Sequence, residues 1–213
     1  MTLISQAKDI SLDELHSEFN LQPVPSQGFF DEWRQDLPVL SEFERSQLAR
    51  LQQNYANLSE RNFSEEAVKM VVLSPLLDLA ELYRAPFRLY TEESVEITSE
   101  DEGRILKGKI DVLVIRQQLW VLTIESKSTR FDVLTALPQA LTYMLSAPDR
   151  DQPAYGLLVN GREFVFVKLV HMPTPTYARS FALSIERDND LEQVLSILKT
   201  IRDNTLLADS TRR

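Results

Sequence analysis

The spacing of apolar positions changes several times along the 213-residue chain, and each change marks an expected element. Phe43, Leu48, Leu51, Tyr55 and Leu58 recur at helical spacing and predict an amphipathic helix over 41–58. Residues 1–40 hold no sustained period. A short helix is expected at SLDELHSEF, and Pro23, Pro25 and Pro38 interrupt the remainder. A second long helix is expected from Ser64 to about Tyr83, with Pro75 inside it. Ser64 suits the N-cap, and Glu65 and Glu66 fall in the first turn, where the helix dipole favours acids.

The period then shortens towards two. FRLYTEESVEI predicts one or two strands, SEDEG a turn, and RILKGKIDVLVI and LWVLTIESK a β-rich pair joined by Arg116-Gln117-Gln118. Asp132 to Ala147 predicts a helix with Pro138 near its start. YGLLVNG and EFVFVKLV predict two strands around Gly161, and FALSI a shorter one. A last helix is expected from Leu191 to Arg202, with Asp188 and Asp190 as N-cap candidates. The pattern predicts an α/β fold: a helix, three to four mixed strands, a helix and further strands. It divides into a helical N-terminal lead-in over 1–60, a main domain over 61–205 and a flexible tail over 206–213.

Composition narrows the chemistry. The chain has no cysteine and only His16 and His171 as imidazoles, so thiol nucleophiles, disulfides and multi-histidine metal sites within one chain are excluded. No apolar run approaches the roughly 20 residues of a bilayer span, and Lys8 and Asp9 interrupt the opening segment where a signal peptide needs apolar residues. A soluble cytoplasmic protein without membrane contact is expected. The net charge of -9 argues against a polyanion partner over most of the surface. Residues 104–130 run the other way. They hold Arg104, Lys107, Lys109, Arg116, Lys127 and Arg130 against only Asp111 and Glu125. Screening confines distant charges to about a Debye length, so such a patch can serve a polyanion on an acidic protein. A solvated hairpin surface would have the same composition.

Asp111 lies among Ile110, Val112 and Val114, where a lone carboxylate is costly unless paired, hydrogen-bonded or metal-bound. Glu125 and Lys127 are two apart in an extended segment and so point to one side. Two carboxylates, an ammonium and a main-chain carbonyl such as that of Ser126 form a set suited to Mg²⁺ and phosphate chemistry. A simple ion pair, Asp111 with Lys127 or Glu125 with a basic neighbour, fits the same residues. Gln139 and Tyr143 are four apart on a helix and share a face. Gly103 to Lys109 has the spacing of a phosphate-binding loop. However, Ile110 stands where Ser or Thr is required, and the segment is extended, so no nucleotide is expected.

Taken together, GKIDVLVI and LWVLTIESK resemble the PD-(D/E)xK nuclease motif, in the form Asp111, Glu125 and Lys127. The pattern is most similar to the N-terminal nuclease domain of type I restriction enzyme motor subunits and to RecB-like nucleases. Glu66, ahead of Pro75-Leu76-Leu77, and Gln139-Ala140-Leu141-Thr142-Tyr143 match two further elements of that family. The resemblance covers about residues 64–168. It departs at Ile110, where the family motif has Pro, and in lacking the motor, so a standalone domain is expected. The resemblance implies a restriction-endonuclease-like core and Mg²⁺-dependent hydrolysis of phosphodiester bonds in DNA, with Mn²⁺ as a possible substitute. It implies Asp111, Glu125 and the Ser126 carbonyl as metal ligands, Lys127 as the group that assists the water or stabilises the transition-state charge, and Glu66 as the completing acid. Gln139 and Tyr143 would orient substrate, and Lys107, Lys109 and Arg130 would meet the nucleic-acid backbone. The implied partners are DNA and either a second copy or separate restriction-system subunits. Two rival expectations are a nuclease-fold module without activity and a protein-interaction adaptor that uses the lead-in.

Overall fold

The computed structural model describes residues 4–30, 37–58, 63–98, 105–116 and 119–210. The alternating apolar segments become strands of one mixed sheet: β1 (Ile4–Gln6), β2 (Gln22–Pro23), β3 (Phe87–Thr98), β4 (Ile105–Arg116), β5 (Leu119–Ser126), β6 (Ala154–Val159), β7 (Glu163–Val170), β8 (Thr176–Arg179) and β9 (Leu183–Ser184). Its order is β1-β4-β5-β6-β7-β8-β2, with β3 on the other side of β4 and β9 beside β7. The β4–β5 and β6–β7 pairs are antiparallel, and β5–β6 is parallel. A parallel neighbour needs a crossover, and helix α5 (Leu137–Leu145) supplies it.

Helices cover both faces, and the strand period of two sorts the core accordingly. Leu157 and Val159 of β6, with Phe164 and Phe166 of β7, pack with α2 (Glu42–Leu58), α4 (Ser74–Leu79) and α6 (Asp190–Ser210). Leu158, Val165, Val167 and Leu169 pack with α1 (Leu12–Glu18) and α5. The lead-in adds strands as well as helices. It pairs β1 in parallel with Ile105–Lys107 of β4, and β2 in parallel with Thr176 and Tyr177 of β8. Leu15, Leu21 and Phe30 of that segment are fully buried, each contributing about 1.5–3 kcal/mol of transfer free energy.

The helix expected over 64–83 is built in three pieces. Ser64 caps α3 (Glu65–Val68) by accepting the Ala67 N–H. A π-helical turn follows at Lys69–Leu73, and then α4. Pro75 explains the widening. It has no N–H for the Val71 carbonyl, and the ladder shifts so that Ser74 N–H donates to Lys69 O.

Other elements depart from expectation. The helix expected from Asp132 begins as a 3₁₀ turn at Val133–Ala136 before α5. FALSI yields only the two-residue β9, and β8 was not expected. The last helix runs to Ser210 rather than stopping at Arg202, so it takes in most of the expected flexible tail. Asp190 is the first residue of α6 and its carboxylate accepts the Ser184 N–H, while the Asn189 carbonyl accepts the Gln193 N–H, so neither Asp188 nor Asp190 caps the helix. The expected turn at 99–103 and the connection at Gln117-Gln118 lie outside the described residues. No helix among the described residues is long and apolar enough to cross a membrane.

Candidate active site

The site forms because the strands on one edge of β4 leave part of its length uncovered. On one side β3 pairs with β4 along most of its length. On the other side β1 reaches only Lys107 and β5 begins pairing at Val112. Gly108 to Asp111 therefore have no strand on that side among the described residues, and their backbone groups need side-chain partners. The Glu125 carboxylate accepts the Asp111 N–H at 3.4 Å, and the Tyr143 hydroxyl meets the Lys109 N–H.

Three expected residues converge at this notch. Asp111 and Glu125 lie just beyond the last paired residues, Val112 and Ile124, near the end of β5. Asp111 Oδ2 accepts from both the main-chain N–H (2.7 Å) and the hydroxyl (2.8 Å) of Ser126. Lys127 Nζ lies 3.9 Å from Glu125 Oε2 and donates to the Ser126 carbonyl at 3.1 Å. Glu125 is fully buried, and its Oε2 has no hydrogen-bond partner. Burial, then the negative charge of Asp111, pushes its pKa up to about 9 against the pull of Lys127. An acid driven so far from its ionised form is short of positive charge.

Two residues not anticipated from sequence complete the cluster. Lys69, at the start of the π turn, donates to Asp111 Oδ1 at 2.8 Å and lies 3.4 Å from Glu92 Oε1. Burial pulls its pKa down, but the hydrogen bond and charge of Asp111, and then Glu92, more than offset this and hold it above the ordinary value. The other is Glu65, whose Oε1 is 3.9 Å from Lys127 Nζ. Glu66, the acid singled out by sequence, is exposed. Its carboxylate is held below its ordinary pKa first by its own backbone N–H and the Ser64 hydroxyl, with Lys69 a smaller influence, so it chiefly serves its own helix start.

Gln139 and Tyr143 do meet, with Gln139 Nε2 donating to Tyr143 Oη at 3.1 Å. Tyr143 is not on a solvated face. It is buried against Ala7, Ile110 and Leu113, and burial followed by the Glu125 charge raises its pKa to about 12. Gly108 makes this possible: a Cβ there would overlap the Tyr143 hydroxyl and ring and the Ala7 methyl. Beside Tyr143 lies a groove of about 660 Å³ whose rim includes Lys8, Lys107, Lys109 and Gln139. Lys107 pairs with Glu96 at 3.0 Å. Arg130 is exposed in the turn after β5 and does not line this groove. Gly108 and Lys109 pair with Val95 and Ser94 within the sheet, so the glycine-lysine spacing lies in a strand and not in a loop.

Among the described residues no three His, Cys, Asp or Glu side chains converge in metal-binding geometry. The donors present are two carboxylates and a main-chain carbonyl. No protein-family model matches the chain, and no curated protein matches it.

Proposed function

We propose that this chain is a cytoplasmic, divalent-metal-dependent nuclease of the restriction-endonuclease-like type that hydrolyses phosphodiester bonds in DNA. The observation that carries the reading is the buried Glu125 Oε2, without a hydrogen bond, beside Asp111 of β4 and Lys127 after β5. Hard oxygen donors suit Mg²⁺, which is commonly held by one or two carboxylates and retains several waters. Asp111, Glu125 and the Ser126 carbonyl would hold it, with Mn²⁺ as a substitute. The ion would supply Lewis-acid polarisation of a phosphate oxygen and a bound water of lowered pKa.

The protein's own groups do the rest. Lys127 already touches Glu125 and the Ser126 carbonyl, so its ammonium is placed to orient a water there and to stabilise charge on the phosphate. Glu65 keeps Lys127 in position. Lys8, Lys107 and Lys109 neutralise the nucleic-acid backbone along the groove, and Gln139 offers an amide to it. A second copy or a separate subunit would supply the grip that a chain of net charge -9 lacks elsewhere.

With Mg²⁺, the protein is expected to nick or degrade DNA, and Lys127→Ala to slow this by about 100-fold or more while circular dichroism stays unchanged. An unaltered rate in the variant would refute the role given to Lys127. A second reading, a nuclease-fold module without activity, draws on the Lys69–Asp111 contact, which occupies one of the two acids. Divalent-metal binding with no cleavage of any nucleic acid would select it.

A further inference from the structure

We infer that Lys69 is a resident counter-cation which a divalent ion must displace from Asp111, and that Glu92 is the residue to which Lys69 withdraws. The inference rests on the metal-dependent reading above. In the absence of metal, the Asp111 carboxylate is enclosed beside the buried Glu125, and Ser126 meets only its Oδ2, so its other oxygen needs a positive partner. Lys69 answers that need: its ammonium sits 2.8 Å from Asp111 Oδ1, on the side of the carboxylate left open by the two Ser126 hydrogen bonds. A cation therefore already stands against the oxygen that a metal would take.

Glu92 supplies the second half of the device. It falls at the register position facing Asp111, but β3 and β4 do not pair there, and its backbone has φ of 55°. A non-glycine residue in the left-handed region within a long strand is strained, and such strain concentrates at working sites. Here it brings an exposed carboxylate within 3.4 Å of the same ammonium. Lys69 thus bridges an inner and an outer acid, and rotation about its flexible stem transfers it from one to the other without leaving it unpaired. Its place at the head of a π turn, a feature enriched at functional positions, fits a side chain that must change partners.

The test is calorimetric titration of the whole chain with Mn²⁺, without DNA. Lys69→Met is expected to bind Mn²⁺ at least tenfold more tightly than wild type, because no ammonium has to leave. Unchanged or weaker binding in this variant overturns the inference. Glu92→Gln, an exposed change that leaves the core intact, is expected to weaken binding several-fold in wild type and much less in the Lys69→Met background. Equal losses in the two backgrounds overturn the withdrawal to Glu92. Should Lys69→Met fail to fold, Glu92→Gln alone decides: unchanged Mn²⁺ affinity overturns the inference. If neither wild type nor Lys69→Met binds Mn²⁺, the metal reading itself falls. If both bind equally, only the role of Lys69 does.

Discussion

Replacing Glu125 by Gln should stabilise the metal-free protein, and increasingly so as pH rises. The carboxyl is fully buried beside Asp111, and its pKa is pushed from the ordinary 4.5 to about 9. A folded-state value above the unfolded one gives stability that is fully present below the unfolded pKa and lost as pH rises towards the folded one. Between these limits the denatured chain ionises Glu125 while the folded chain keeps it protonated. The penalty grows by about 1.4 kcal/mol per pH unit. From pH 6 to pH 8 it therefore grows by roughly 3 kcal/mol, and a Gln side chain does not incur it. Gln keeps the oxygen that accepts the Asp111 N–H and places an NH₂ where the protonated acid places its OH; its second N–H adds a cost that does not vary with pH, so the change of the gap between pH 6 and pH 8 is the quantity that reports ionisation. Urea unfolding in EDTA, followed by circular dichroism, measures the difference. This pH range also stays clear of the sequence pI of about 4.8. A gap between wild type and Glu125→Gln that is the same at pH 6 and pH 8 would refute the reasoning.

Gly108→Ala should destabilise the fold by about 1–3 kcal/mol, since its methyl overlaps the Tyr143 hydroxyl and ring and the Ala7 methyl; a thermal melt that does not move would mean Tyr143 is not seated on β4. His171 is buried, and burial, then the nearby Arg150, holds its pKa below the usual 6.5. Its contribution is therefore present above that value and lost as pH falls, when the denatured chain takes up the proton. His171→Leu should flatten the stability profile between pH 7 and 5.5, and a slope parallel to wild type there would refute this.

The long strands were legible because β-branched and apolar residues recur over eight to twelve positions in FRLYTEESVEI, RILKGKIDVLVI and LWVLTIESK, with polar residues interleaved where β3 meets solvent and apolar runs where β4 and β5 are buried. β1, β2 and β8 were not. Pairing of two to four residues, one of them Pro23, leaves no period to read, and their partners are remote in sequence. Asp111, Glu125 and Lys127 could be read because a carboxylate within an apolar strand is conspicuous. Lys69 could not, since a lysine on a helix ordinarily reads as its solvated face. Its side chain leaves the first position of the π turn and reaches Asp111, a tertiary contact that no helical spacing announces. Glu65 and Glu66 differ by one residue of helical phase, about 100° of rotation, and it is Glu65 that lies beside Lys127, a distinction that spacing alone does not resolve.

The docking of β2 on β8 sets an order of events during synthesis. Gln22 has its strand partner at Thr176, so the ribosome must add more than 150 further residues before β2 can pair. Contacts of such long separation are slow to form. The segment that seats Ala7 beneath Tyr143 needs only β4 and α5, so the notch can assemble while β2 still waits for its partner.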